Sequence, residues 1–230
     1  MAGVRAPTVL LFDIDGTLVT TGGAGRRAME RAFEQLTGRR DATRFPYSGM
    51  TDRAIVRAGL RNVGHADDEA GVERLLAAYI SLLAEEVPAS PSYAVYPGIL
   101  AALDAAAQAG DTVVGLGTGN VREGARIKLT RASLHARFAF GGFGCDHEER
   151  SELLRVGAER GAAQLGRPRS ECRVVVIGDT VRDVDAALAI GAECLAVGTG
   201  GEDLAVLSSR GATLVVRDLD EPGAIDALLG

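Results

Sequence analysis

The stretch TVLLFDIDGTL, residues 8–18, decides the fold of this chain. It opens with an apolar run, and two aspartates, a glycine and a threonine follow. A strand of a parallel sheet has such a continuous apolar run because helices cover both of its faces. We therefore predict a first strand over residues 8–14, which ends among residues that favour a turn.

Similar apolar runs recur in the second half of the chain and alternate with helical patterns. The predicted strands cover residues 112–118, 173–179 and 193–199, with weaker candidates at 138–143 and 212–216. The predicted helices cover residues 98–110, 148–165 and 183–191. Strands that alternate with helices indicate an α/β fold with a doubly wound, Rossmann-like parallel sheet.

The interval between the first strand and residue 112 breaks this alternation because its periodicity is helical. One apolar stripe predicts a helix that ends near Gly38, and a second stripe predicts another helix. The segment TDRAIVRAGL (51–60) predicts a shorter helix with Thr51 as its N-cap. The first stripe consists of Ala28, Met29, Ala32, Phe33 and Leu36, and the second of Val72, Leu75, Leu76, Tyr79 and Leu83.

These helices indicate a second, smaller domain inserted into the first. We expect a helical cap over residues 20–95 and a core domain formed by residues 1–19 and 96–230. Glycine and proline residues at both ends of the insertion are candidate hinges. Two closely spaced connections of this kind are expected of a mobile lid.

Composition limits the class of partner. The net charge of −6 argues against nucleic acid or an anionic membrane, so we expect a small ligand. The three cysteines lack C-x-x-C spacing, and the apolar run before Asp13 is too short for a signal peptide or a membrane span. We expect a cytoplasmic protein, either a monomer or a homodimer.

Polar residues follow several predicted strands, where parallel sheets bind their ligands. The first predicted strand ends around Asp13 and Asp15, and the predicted strand 112–118 ends at Thr118. Together with the glycines beside them and Lys128 on the next predicted helix, the candidate site residues are Asp13, Asp15, Gly16, Thr17, Thr118, Gly119, Asn120, Lys128, Asp179 and Asp183.

The first pair of acids suits phosphoryl transfer. A carboxylate such as Asp13 can attack phosphorus and form an aspartyl-phosphate. Asp15 can then protonate the leaving oxygen and later activate water. Gly16 and Thr17 lie on a tight turn whose backbone amides can face an anion.

Two carboxylates and a phosphate dianion repel each other, by about 4 kcal/mol per close pair of charges at an effective dielectric near 20. A divalent cation removes this obstacle, and oxygen ligands without His or Cys select Mg²⁺. Asp179 is the natural third carboxylate, and Asp183 follows one helical turn later. The Thr118 hydroxyl and the Gly119 amide can hold the phosphate.

Lysine is almost absent from this chain. Lys128 is the single lysine among 25 Lys and Arg residues. It follows the predicted strand 112–118, in the segment where a compact positive charge would meet a phosphate. We therefore add Lys128 to the candidate phosphate-binding residues.

These residues together resemble the motifs of the haloacid dehalogenase-like hydrolases, in particular the phosphoglycolate phosphatase and β-phosphoglucomutase group. The matching motifs are D-I-D-G-T at 13–17, Thr118, Lys128 and G-D-T-x-x-D at 178–183, with VYPGILAAL at 95–103 and GARIKL at 124–129 also similar. The resemblance covers essentially the whole core, and the helical insertion lies where this group carries its cap.

The resemblance implies a role for each matching residue. Asp13 would be the nucleophile and Asp15 the general acid and base, while Thr118 and Lys128 would hold the phosphate. Asp13, the backbone carbonyl of Asp15 and Asp179 would bind Mg²⁺, with Asp183 behind them.

Two features leave alternatives open. Relatives often have Asn directly after the motif threonine, whereas this chain has Gly119 and then Asn120, so either residue can complete the phosphate pocket. Thr51 and Arg53 resemble the cap loop that contacts substrate in this group, but an ordinary helix start explains them equally well.

Other functions fit these motifs less well than a phosphatase does. A phospho-receiver module needs its acid pair before the acceptor strand, and a dinucleotide-binding enzyme needs G-x-G-x-x-G after the first strand. Asp15 disfavours a dehalogenase, and a cap without lysine disfavours a phosphonatase. A sugar-phosphate mutase remains the main alternative to a hydrolase of small phosphomonoesters, for which phosphoglycolate is the leading substrate by resemblance.

Overall fold

The computed structural model describes residues 6–230. The strands are β1 (Thr8–Phe12), β2 (Val19–Thr20), β3 (Ala94–Val95), β4 (Thr112–Thr118), β5 (Phe140–Phe143), β6 (Arg173–Gly178), β7 (Glu193–Val197) and β8 (Leu214–Val216). The helices are α1 (Ala24–Thr37), α2 (Asp52–Asn62), α3 (Glu69–Ala89), α4 (Ile99–Gln108), α5 (Arg122–Thr130), α6 (Arg150–Gln164), α7 (Val181–Ala189), α8 (Leu204–Ser209) and α9 (Ala224–Leu229).

Six strands form one parallel sheet in the order β5-β4-β1-β6-β7-β8. The side chains of β1 alternate between the two faces of this sheet, as strand geometry requires. Leu10 and Phe12 pack under α4, α5 and α9, whereas Val9 and Leu11 pack under α6, α7 and α8. All four side chains are fully buried. The predicted α/β fold with a doubly wound parallel sheet is confirmed.

All six predicted strands are present, but several are shorter than predicted. The first strand stops at Phe12 because the chain turns at the polar residues that follow it. The sequence analysis missed β2 and β3, which pair antiparallel with Val19 opposite Val95. These strands have two residues each, too few for any alternating pattern to reveal them.

Helices α1, α2 and α3 lie between β2 and β3 and share a separate hydrophobic core. Phe33 of α1 is fully buried, and Tyr79 of α3 is 2% exposed. The prediction that places Leu36 on the buried stripe of α1 is wrong, since Leu36 is 47% exposed. The β2–β3 pair joins the two connections to the core, and we keep residues 20–95 as the proposed extent of the cap.

The segment before α2 sets the start of that helix. Thr51 is its N-cap, as predicted, and its hydroxyl accepts a hydrogen bond from the Ala54 amide at 3.2 Å. Asp52 is therefore the first helical residue and lies at the junction of cap and core. Within residues 6–230, none of the helices combines the length and apolar character needed to cross a membrane.

Candidate active site

The carboxyl ends of the central strands bring the predicted polar residues together. Asp13 directly follows β1, Thr118 ends β4 and Asp179 directly follows β6. These three strands are neighbours, with β1 in the middle. The chain builds the sheet outward from β1 first through β4 and later through β6, so a crevice opens at this edge, where open α/β sheets bind ligands.

Three carboxylates form a buried cluster at this edge. Asp13, Asp179 and Asp183 each offer an oxygen, and these oxygens lie within 4.8 Å of one another. Burial raises the pKa of Asp13 to about 6 and that of Asp179 to about 8, and repulsion from Asp183 adds to both shifts. The cluster therefore holds more negative charge than its burial favours, and a cation would relieve it.

The surroundings of Asp179 fit a small, hard cation. Its donors are carboxylate oxygens, and the Thr17 hydroxyl donates a hydrogen bond to Asp179 at 2.8 Å. A Cβ at Gly16 would lie 2.3 Å from Asp179 Oδ2, and one at Gly200 would lie 1.7 Å from it. Only glycine at these two positions leaves room for this carboxylate. An oxygen-only donor set in so tight a space suits a divalent ion such as Mg²⁺.

Asp183 has less freedom to bind a cation than the other two acids. Its Oδ2 accepts hydrogen bonds from the Thr180 amide at 3.0 Å and from the Thr180 hydroxyl at 2.6 Å. Its Oδ1 accepts one from Arg150 Nε at 2.8 Å. Asp183 thus caps α7 and holds Arg150, a supporting position behind the cluster.

Arg150 is a residue that the sequence analysis missed. Its Nη2 lies 3.1 Å from Asp13 Oδ1 and 2.5 Å from Asp183 Oδ1, and its side chain is 8% exposed. These are ion-pair contacts, because among the described residues no partner of Nη2 has hydrogen-bond geometry. Burial lowers the pKa of Arg150, but the two aspartates outweigh it and keep the guanidinium charged.

The clue to Arg150 was its position in the chain. It begins the helix after β5, so it lies at the carboxyl edge of the sheet, the same edge as Asp13. Arginine accounts for nearly all basic residues in this chain, and residue type alone did not distinguish it.

A second basic side chain, that of Lys128, pairs with Asp15. Lys128 Nζ lies 2.6 Å from Asp15 Oδ2 and 2.6 Å from Asn120 Oδ1. The Asn120 amide donates to Asp15 Oδ2 and to Thr118 Oγ1, each at 2.9 Å. Although burial lowers the pKa of Lys128, Asp15 and Asp52 raise it above its usual value. The amine therefore stays charged.

These two acid–cation pairs lie in one cavity between core and cap, with a volume of about 230 Å³. Asp13, Asp15, Gly119, Asn120, Lys128 and Arg150 line its core side. Asp52 and Tyr79 are among the cap residues that close it. Asp15 is the more accessible acid, since its side chain is 43% exposed while that of Asp13 is 8% exposed.

Several predicted site residues lie beside this cavity and do not line it. The fully buried Thr118 donates to Asp13, which lowers the pKa of that acid against the larger effect of burial. Thr17 contacts Asp179, and Gly16, with a φ of 88°, makes the turn between Asp15 and Thr17. These residues place the acids.

The two predicted cap residues are also outside the cavity. Thr51 caps α2 and donates to the Glu148 carbonyl at 3.1 Å. Arg53 forms ion pairs with Glu69 and Glu73 of α3. Neither residue lines the cavity, whereas Asp52, between them in the chain, does.

Comparisons with known proteins identify the family of the chain. The family model of the haloacid dehalogenase-like hydrolases matches residues 7–191. Among curated proteins, none matches the chain significantly.

Solved structures share the fold over nearly the whole chain. A hydrolase from Pseudomonas syringae is 22% identical with a TM-score of 0.72, covering 98% of this chain and 100% of that one. A provisionally assigned phosphoglycolate phosphatase from Lactobacillus delbrueckii subsp. bulgaricus is 23% identical with a TM-score of 0.65, covering 99% and 100%. A provisionally assigned β-phosphoglucomutase from Bacteroides vulgatus is 22% identical with a TM-score of 0.66, covering 99% and 92%.

The structural matches, at these identities, establish a common fold, and the family model establishes membership. The chain belongs to the haloacid dehalogenase-like hydrolases, the family that its sequence motifs resemble.

Proposed function

We propose that this protein is a Mg²⁺-dependent phosphatase that hydrolyses small phosphomonoesters through an aspartyl-phosphate on Asp13. One observation carries the proposal: two aspartates line a single cavity, and each is paired with its own buried cation. Asp13 faces Arg150, and Asp15 faces Lys128. Two acids in different environments can take different roles in one reaction.

In the first step an Asp13 oxygen attacks phosphorus. An O–P bond to Asp13 forms while the bond from phosphorus to the leaving oxygen breaks, and Asp15 gives that oxygen its proton. In the second step Asp15 takes a proton from water, whose oxygen attacks phosphorus. The O–P bond to Asp13 then breaks, inorganic phosphate leaves, and both acids return to their starting states.

The other predicted residues support these steps. Arg150 keeps Asp13 ionised for attack, and Lys128 with Asn120 aims Asp15 at the leaving oxygen. Gly119 and Asn120 both line the cavity, so both remain candidates to complete the phosphate pocket. Thr51 and Arg53 lie outside the cavity and take no part in these steps.

Asp13, the carbonyl of Asp15 and Asp179 would hold Mg²⁺, with Asp183 behind them. The bound ion would neutralise charge on the phosphoryl group and fix its orientation. The fit rests on the crowded carboxylate cluster and on the two glycines that leave it room.

The cavity volume of about 230 Å³ supports a small phosphorylated metabolite as the substrate. A phosphoglycolate-like compound is favoured by the family resemblance. The acidic net charge of −6 supports the expectation that neither nucleic acid nor a membrane is a partner. A cytoplasmic monomer or homodimer remains the prediction.

The decisive assay measures inorganic phosphate released from a panel of phosphorylated metabolites with Mg²⁺ present. We expect turnover that chelation abolishes and that Asp13→Asn removes, because the amide is not a nucleophile. Undiminished turnover by Asp13→Asn would refute the proposal. Transfer primed by a sugar bisphosphate, with little phosphate released, would instead identify the mutase alternative.

A further inference from the structure

One residue of the cap holds the loop after β4 on both sides of Asn120. The backbone amide of Asp52 donates to the Gly119 carbonyl at 2.8 Å. The Val121 amide donates to Asp52 Oδ2 at 2.9 Å. Asn120 lies between these two hydrogen bonds with the cap, and its own carbonyl accepts a further one from the Gly144 amide of the core at 2.9 Å.

Asn120 carries this constraint to the acid. Its side-chain Nδ2 donates to Asp15 Oδ2 at 2.9 Å, and its side-chain Oδ1 accepts from Lys128 Nζ at 2.6 Å. Asp52 itself does not contact Asp15. A path of hydrogen bonds, partly buried at its Asp15 end, therefore runs from the cap through Asn120 to the proposed general acid.

The same contact explains why glycine occupies position 119. A Cβ there would lie 2.5 Å from the Met50 carbonyl oxygen and 2.9 Å from Thr51 Cα, both backbone atoms of the cap. The cap can dock this closely only on a residue without a side chain. The departure from the family pattern, with glycine at 119 and asparagine at 120, thus matches the way the cap sits on this loop.

Asp52 is well placed to hold that contact. It is 6% exposed, and its Oδ2 accepts the amide of Val121, the N-cap of α5. This amide is one of the donors that a helix start leaves without an intrahelical partner, and the cap domain supplies its acceptor from another part of the chain. Lys128 provides a nearby positive charge for the Asp52 carboxylate.

We propose that Asp52 is a positioning residue that makes the acid function of Asp15 depend on docking of the cap. The inference rests on the proposed function and deepens it. With the cap docked, Asp52 fixes the loop, and Asn120 and Lys128 aim Asp15 at the leaving oxygen. When the cap lifts, the loop loses both hydrogen bonds, so protonation of the leaving group is efficient only for an enclosed substrate.

The first test compares leaving groups. An alkyl phosphate needs protonation of its leaving oxygen, whereas an aryl phosphate leaves readily without it. We expect Asp52→Ala to lower kcat/KM for the alkyl ester about 100-fold and for the aryl ester less than about 10-fold. Asp52→Asn keeps an oxygen that can accept from Val121 and should recover most of the loss.

A matched control separates positioning from general destabilisation. Asp68 is the N-cap of α3 in the same cap, and its side chain accepts from the Gly71 amide at 2.8 Å. Asp68→Ala should lose about 1 kcal/mol of folding stability, as caps usually do. It should leave the ratio of alkyl to aryl kcat/KM at the wild-type value.

The second test does not depend on activity. Lys128 is the single lysine and is 4% exposed, so its reductive methylation, followed by peptide mapping, reports opening of the cap. We expect faster methylation in Asp52→Ala and in Gly119→Ala, whose new Cβ would collide with Met50. If Asp52→Ala does not fold, Gly119→Ala serves in both tests.

Equal losses on both esters, equal losses in Asp52→Ala and Asp52→Asn, or unchanged methylation would overturn the inference. A wild-type protein that releases no phosphate from any ester would instead overturn the proposed function. The methylation result would still show whether the Asp52 contact controls access to Lys128.

Discussion

Arg150 and Asp13 form a buried ion pair at the carboxyl end of β1, with 3.1 Å between Nη2 and Oδ1. Arg150 lies more than 130 residues from Asp13 in the chain and begins α6, so the strand and the helix must pack in register for the pair to form. The same guanidinium reaches Asp183 at 2.5 Å and so links Asp13, which follows β1, to Asp183 of α7.

Removing Arg150 should damage both activity and stability. Arg150→Met leaves Asp13 and Asp183 buried beside each other without the cation that pairs with both, so the nucleophile loses its orientation and a charge that favours its ionised form. We expect kcat to fall about 100-fold or more and unfolding free energy to fall by about 3–5 kcal/mol. Phosphate release and chemical denaturation measure the two effects.

Arg155→Met is the matched control, because Arg155 lies on the same helix in an exposed pair with Glu152. Such pairs contribute about 0–1 kcal/mol. Comparable losses in both variants would contradict a special role for Arg150.

Removing Lys128 should impair catalysis through Asp15. In Lys128→Met the Asp15 carboxylate and Asn120 lose their shared partner, and we expect kcat/KM to fall about 10- to 100-fold. Arg126→Met on the same helix removes only an exposed pair with Glu123 and should leave activity unchanged. Steady-state kinetics on both variants tests this prediction, and full activity in Lys128→Met would exclude a role for Lys128 in orienting Asp15.

Binding of Mg²⁺ should strengthen as pH rises toward 8. Metal-free, Asp13 and Asp179 have pKa values raised to about 6 and about 8, chiefly by burial. Protons compete with the cation for these oxygens, so raising the pH from about 6 to about 8 should tighten binding up to about 100-fold. Titration calorimetry measures the affinity at each pH.

The metal-free protein should show the opposite trend in stability. The folded state keeps protons on these acids at pH values where the unfolded chain has lost them. Its unfolding free energy should therefore fall as pH rises from about 4 to about 8. Thermal melts with and without Mg²⁺ test both signs, and a gap between them that does not widen with pH would contradict the carboxylate site.

The contact between β5 and α6 should tolerate no side chain at Gly142. A Cβ there would lie 1.8 Å from the Leu153 carbonyl of α6, the helix that carries Arg150. We expect Gly142→Ala to destabilise the fold by several kcal/mol, about the upper range for single substitutions. Gly110→Ala meets no described atom within 4 Å and should be neutral or slightly stabilising. Denaturant midpoints compare the two.

Much of the fold was predictable because local patterns record burial. The apolar runs of β1, β4 and β6 identified the central strands, and the helical stripes identified the cap. The two-residue strands β2 and β3 escaped prediction because pairing, and no pattern of their own, defines them. Leu36 shows the limit of a stripe, since a helix of fixed periodicity can extend beyond the surface it covers.

The candidate acids were likewise predictable, since Asp13, Asp15 and Asp179 follow apolar strands within short polar motifs. The sequence by itself determined the sheet, the edge where the site lies and these acids, because strand ends place such residues whatever the rest of the chain does.

Only the tertiary structure decided which cation meets which acid. Arg150 is one of many arginines, and Asp52 looked like an ordinary first residue of a helix. Their partners come from distant segments, and long-range packing leaves no periodic signal in the sequence. The close approach of the cap, which requires glycine at position 119, is a property of two surfaces in contact and exists only once the chain has folded.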